Sequence, residues 1–193
     1  GAGARRARGQ GRGRIVSDDI SMAGLSPEQK RSLLARLLEE KVEQASVFPL
    51  SHGQRALWVL YRLAPASPAY NVAFTARLRP SVEVPHLAKA YADLVQRHES
   101  LRITIEERAG VPVQRVARRG VAALEEIDAI AWSPDRLLED LERSLRRPFD
   151  LEKGPVVRAS LYHGRDGQVL LLAAHHIAVD AWSIGVLVSE WLA

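Results

Sequence analysis

Cysteine is absent from this 193-residue chain. That excludes disulfides, cysteine-ligated zinc, iron–sulfur clusters and thiol nucleophiles together. Long hydrophobic runs are absent too. The longest, Val169–Ala174 among them, are six residues, where a membrane-spanning helix needs about 20. The chain begins with Gly rather than Met, and its Arg/Gly-rich start has no apolar core of the kind a signal peptide carries. There is no glycine-rich phosphate loop or dinucleotide fingerprint, and no Gly-x-Ser-x-Gly elbow of a serine hydrolase. What remains is the composition of a soluble, cytosolic globular domain, 47% hydrophobic and 26% charged. The helical pattern is still running at Ala193, so the chain reads as a piece of a longer polypeptide.

Charge is unevenly placed. The formal net charge is +4. Residues 1–14 hold Arg5, Arg6, Arg8, Arg12 and Arg14 and no acid, so the other 22 basic residues face 23 acids and the body carries −1. The body has no electrostatic case for binding nucleic acid. Residues 1–24 read as a flexible basic linker. Residues 25–46 read as an amphipathic linker or docking helix. Ser26 and Gln29 form a capping box around Pro27, and Leu33, Leu34, Leu37, Leu38 and Val42 make one apolar stripe.

From residue 47 onward, helical and alternating patterns interleave. Phe48–Leu50 reads as extended, and Ser51–Leu63 as a helix containing Leu57, Trp58, Leu60 and Tyr61. Val72, Phe74, Ala76 and Leu78 alternate as a half-buried strand. Pro85 opens a helix carrying Leu87, Tyr91, Leu94, Val95 and His98. Leu101, Ile103 and Ile105 alternate as a second strand, which turns at Gly110 into Val111–Val116. Val121–Ile127 is a weaker strand signal. Ser133-Pro134 starts a helix that Pro148 stops. Val156–Tyr162 and Gln168–Ala174 flank the turn His163–Gly167, and a last helix runs from Trp182. The class is α/β with a mixed sheet flanked by helices.

The strongest chemical feature is His175-His176-Ile177-Ala178-Val179-Asp180, at the end of a buried strand. Neutral imidazole is the natural general base near pH 7. Side chains alternate along a strand, so the two rings point to opposite faces and only one lines a given cleft. On the pattern alone, two core histidines and a histidine acid/base site both remain open. A metal site has little support, because opposed rings cannot share an ion and no third ligand is evident. A second feature, Arg97-His98-Glu99-Ser100-Leu101-Arg102, lies where a helix hands over to a strand. Arg102 alternates with Leu101 and Ile103 and needs an acid partner, for which Asp180 is the candidate. A third, Ser51-His52-Gly53-Gln54-Arg55-Ala56-Leu57-Trp58, is by itself a polar helix start with an aromatic.

In this order the three segments resemble the condensation domain of nonribosomal peptide synthetases. Ser51, Gln54, Leu57 and Trp58 match its first motif. Arg97, His98, Glu99, Leu101 and Arg102 match the second, with Ile103 in place of Thr. His175, His176 and Asp180 match the third, with Ala181 in place of Gly. The stretch Pro148-Phe149-Asp150-Leu151 to Gly154-Pro155 fits the family's lead-in to the histidines. The resemblance covers about Val47 to Ala193.

The resemblance implies a chloramphenicol-acetyltransferase-like lobe, the N-terminal one of two, with the C-terminal lobe missing. It implies amide formation between an acyl or peptidyl thioester donor and an aminoacyl thioester acceptor. Both are tethered by phosphopantetheine arms to upstream and downstream carrier domains, in a polypeptide that also carries an adenylation domain. The lobe itself is expected to bind no cofactor and to engage no nucleic acid or membrane. His176 is expected to be catalytic. His175 is expected to be structural and to face away from the tunnel, and Asp180 to pair with Arg102. Ala181, Trp182 and Ser183 are candidate channel residues. Gly at 181 would allow a positive φ or a close backbone approach, so Ala there is the departure that matters. The alternatives are an epimerization or ester-forming domain of the same superfamily, or a non-catalytic recruiting scaffold.

Overall fold

A computed structural model describes residues 26–44 and 46–193, without the side chains of 37–44. The linker expected over 1–24 lies outside the described residues. The chain divides into two units, 1–41 and 42–193.

The first described element is helix α1 (Pro27–Gln44). Its expected capping box is present. The Gln29 backbone N–H donates to Ser26 Oγ at 3.2 Å, and Ser26 N–H donates to Gln29 Oε1 at 2.9 Å. Of the apolar stripe, Leu33 is half-buried and Leu34 is exposed; Leu37, Leu38 and Val42 have no described side chains.

The second unit holds two sheets. A three-stranded antiparallel sheet has the order β1 (Val47–Pro49), β4 (Val111–Val116), β3 (Ile103–Arg108). A four-stranded sheet has the order β2 (Asn71–Leu78), β7 (Gly167–His175), β6 (Val157–Gly164), β5 (Leu124–Ala129). The larger sheet is mixed, as expected: β5 and β6 are parallel and the other pairs antiparallel. A parallel pair needs a crossover, and here helix α4 (Pro134–Arg146) lies between the two strands in the chain.

The alternation in β2 holds residue by residue. Val72, Phe74, Ala76 and Leu78 turn inward, while Ala73, Thr75 and Arg77 are exposed. They meet helices α3 (Val84–Arg97) and α5 (Ala181–Trp191). From those helices Leu87, Tyr91, Leu94, Val95, Ile184, Leu187, Val188 and Trp191 pack against Leu161, Leu170, Leu172 and Ala174 of the sheet. Each Leu, Ile or Val among them contributes roughly 1.5–3 kcal/mol through burial. Trp191 also packs its ring, tilted, against Tyr91 at 5.0 Å and donates its indole N–H to the Leu87 carbonyl at 3.0 Å. On the other face, helix α2 (His52–Leu63) and the small sheet cover Ala173, with Trp58, Ile103, Ile105, Phe149 and Leu151 buried there.

Four local expectations need correction. Leu101 is buried, but in a 3₁₀ turn over Glu99–Arg102 rather than in a strand. Val121 is exposed and β5 begins only at Leu124. The second hairpin turns on two residues, Arg165 and Asp166, because Gly164 pairs with Gly167. The last helix begins at Ala181, not Trp182. The first hairpin turns at Ala109 and Gly110, as expected near Gly110. Both have positive φ, +50° and +77°, the combination that suits a two-residue hairpin.

The C-terminus of α4 would leave its last carbonyls without partners. Two distant side chains supply them. Asn71 Nδ2 donates to Leu145 and Arg147 at 2.6 and 2.9 Å. Arg158 donates to the carbonyls of Ser144, Arg147 and Pro148, with its guanidinium 4.0 Å from the Phe149 ring centroid. Burial, then Arg147 beside it, pushes Arg158 down to about 10.

Candidate functional site

Strand β7 is buried almost throughout and delivers two histidines at its end. They divide the roles that alternation predicts. His175 is 4% exposed, between the rings of Tyr70 and Phe149, at 6.4 and 6.3 Å. Its Nδ1 accepts from the Ile177 N–H at 3.1 Å. Burial, and secondarily His176 beside it, pushes His175 down to about 4, so the ring is neutral at pH 7.

His176 is exposed. Its backbone N–H donates to Tyr70 O at 2.8 Å, and its Nδ1 lies 2.7 Å from the Val179 carbonyl. A carbonyl only accepts, so Nδ1 carries the proton. In the neutral ring Nε2 is then the free lone pair, the arrangement a general base requires.

Asp180 caps α5. Its Oδ1 accepts from the Ser183 N–H at 2.7 Å and the Ser183 hydroxyl at 2.6 Å. These bonds, the hydroxyl first, hold the carboxyl below its ordinary value. The expected pair with Arg102 is not formed. Asp180 is exposed and satisfied by its own helix. Arg102 instead donates to the Ala117 carbonyl, leaving its Nε buried without a partner. The loop at Gly120 packs on the Arg102 stem so closely that an added Cβ would lie 3.0 Å from its Cγ.

Ala181, Trp182 and Ser183 form the first turn of α5. Ala181 and Trp182 are exposed, the latter by 82%. Among the described residues, Ala109 is the one non-glycine with positive φ. Alanine at 181 therefore imposes no backbone strain.

All three motifs reach the histidine turn or its helix. Arg97 and His98 bond to Glu190 of α5 at 3.2 and 2.8 Å. Gln54 donates to the Ile177 carbonyl at 3.3 Å. The reach of Gln54 and the carbonyl clamps of Asn71 and Arg158 were not read from sequence. For Gln54 the signal was its place in the first motif. A cleft of about 740 Å³ lies elsewhere, between α4 and the sheet, lined by Trp132, Leu137, Leu141, Arg77 and Val169.

A family model described as Condensation domain matches residues 44–193. Isonitrile lipopeptide synthase of Mycobacterium tuberculosis is 40% identical over 151 residues, covering 77% of this chain and 6% of that protein. A dimodular nonribosomal peptide synthase of Bacillus subtilis is 34% identical over 174 residues, covering 90% and 7%. Among solved structures, a mutant of the starter condensation domain of rhizomide synthetase RzmA shares the fold. Its TM-score is 0.71 at 19% identity, over 78% of this chain and 35% of that one. A four-domain nonribosomal peptide synthetase bound to AMP and glycine gives a TM-score of 0.67 at 26% identity, over 76% and 11%. The chain thus spans 7% or less of the length of these two relatives and 35% of the solved starter domain.

Proposed function

The chain belongs to the condensation domain family, and on that premise we propose that residues 47–193 are the N-terminal lobe of a peptide-bond-forming condensation domain. A C-terminal lobe of the same polypeptide completes the tunnel. The donor is an acyl or peptidyl thioester on an upstream carrier domain, and the acceptor an aminoacyl thioester on a downstream one. Phosphopantetheine arms tether both, and an adenylation domain of the same polypeptide supplies the acceptor. The acceptor amine attacks the thioester carbonyl, the C–N bond forms, and the C–S bond breaks. The proton lost by the amine ends on the released thiol.

The single observation that carries this reading is the His176 ring. Its Nδ1–H is fixed on the Val179 carbonyl while the side chain stands exposed beyond a buried strand. Nε2 accepts the hydrogen bond or proton of the attacking amine. An α-amine has a pKa of about 7.7–8.0, so holding and orienting it contributes alongside deprotonation. His175, neutral and enclosed, keeps the strand end in shape.

The test uses the polypeptide carried through its second lobe, with donor-loaded and acceptor-loaded carriers, read by intact-protein mass spectrometry. The acceptor carrier should gain the mass of the acyl unit, and His176→Ala should abolish that gain. A folded protein that transfers nothing from several matched pairs would sink amide formation in favour of epimerization or a recruiting role.

A further inference from the structure

Gln54 lies on α2, far from the histidines in sequence, yet its amide is committed in every direction. Its Oε1 accepts from the Ser51 N–H at 3.0 Å. That donor fixes which end of the amide is oxygen. The Nε2 end then faces two acceptors: the Ile177 carbonyl at 3.3 Å and Gln114 Oε1 at 3.2 Å. Gln114 is oriented in turn, because its own Nε2 donates to the Pro49 carbonyl at 3.3 Å. No flipped arrangement satisfies the set.

The residue Gln54 holds is the one after His176. Ile177 is fixed at three points: its N–H on His175 Nδ1, its side chain in the core at 4% exposure, and its carbonyl on Gln54. The first two come from the strand and the core beneath it. The third is the side-chain hydrogen bond that reaches the turn 176–179 from α2. Resting on the functional reading above, we propose that Gln54 is a positioning residue for His176. The N–H of the Ile177–Ala178 peptide donates to the His175 carbonyl at 3.0 Å; Gln54 holds the opposite, carbonyl side of that peptide, and through it the path of the turn that returns the Val179 carbonyl to His176 Nδ1.

Gln54 also belongs to the α2 capping box, with Ser51 Oγ accepting its N–H at 3.2 Å. A loss of stability alone would therefore say nothing, and two variants separate the roles. Gln54→Glu keeps the capping acceptor and sets a carboxylate oxygen against the Ile177 carbonyl. Ser51→Ala weakens the cap and leaves the tie intact.

The test measures kcat, acceptor KM and Tm in the extended polypeptide, with wild type and His176→Ala in parallel. Gln54→Glu is expected to lower kcat roughly five- to tenfold, with KM unchanged and Tm lowered to an extent comparable with Ser51→Ala. Ser51→Ala is expected to lower Tm and leave kcat unchanged. The inference is overturned if Gln54→Glu retains wild-type kcat, or if Ser51→Ala, at a similar loss of Tm, lowers kcat as much. An inactive wild type would instead strike at the functional reading itself.

Discussion

His175 and His176 are bonded neighbours in different regions, the buried end of β7 and the exposed turn that follows it. His175 is enclosed by Tyr70 and Phe149 and held neutral. His176 stands in the open with one nitrogen pinned and the other free. The difference teaches that what a histidine can do is decided by its surroundings rather than its residue type. A strand supplies alternation, so two identical side chains receive opposite environments one residue apart. The same strand that presents one ring uses the other as packing.

The comparison breaks most visibly at His176. His176→Ala should lower condensation 10²- to 10⁴-fold, with Tm close to wild type, checked by the carrier assay alongside differential scanning fluorimetry. His175→Ala should do the reverse in kind. It should destabilise the fold by about 2–4 kcal/mol, through the cavity and the unpaired Ile177 N–H, as read by urea denaturation.

Acid sharpens the contrast. A group whose pKa is lower in the folded than in the unfolded chain contributes stability that is present above the unfolded value and is lost as pH falls toward the folded one. For His175 that window runs from about 6.5 down to about 4, and the loss across it is on the order of 3 kcal/mol. His175→Gln should remove that dependence. Asp180 and Glu190 are also held low, but they lose their contributions only below the ordinary carboxylate range. A wild-type stability flat from pH 7 to pH 5 would contradict the enclosed neutral ring.

Smaller effects are expected further along the turn. Asp180→Ala removes a cap rather than half of a buried ion pair, so Tm should fall by only a few degrees, with most activity retained. Ala181→Gly should change activity less than twofold and cost at most about 1 kcal/mol of helix propensity, measured by the same denaturation. A large gain in rate for Ala181→Gly would mean that the methyl group obstructs the channel.

Legibility followed range. The capping box at Ser26, the alternation in β2, the stripe of α3 and the opposed histidines were all readable, because each depends on residues a few positions apart. The exposed place of His176 at the strand end was readable for the same reason. The 3₁₀ turn at Leu101 was missed because a buried apolar residue fits both a strand and a turn. The pair of Arg102 with Asp180 was inferred from complementary charge. In the fold, nearer partners take both groups: the Ala117 carbonyl accepts from Arg102, whose Nε stays unpaired, and Ser183 donates to Asp180. The clamps on α4 were unreadable, since Asn71 reaches carbonyls 74 and 76 residues away, a pairing no local pattern encodes.

The tie from Gln54 to Ile177 ends on a main-chain oxygen, and every residue at position 177 has one. The contact is therefore indifferent to what side chain evolves there. Hybrid proteins that take residues up to the 120s from one parent and the remainder from another would keep this connection without matched mutations, provided the first parent keeps glutamine. A junction built on backbone chemistry can be recombined where a side-chain pair would have to travel together.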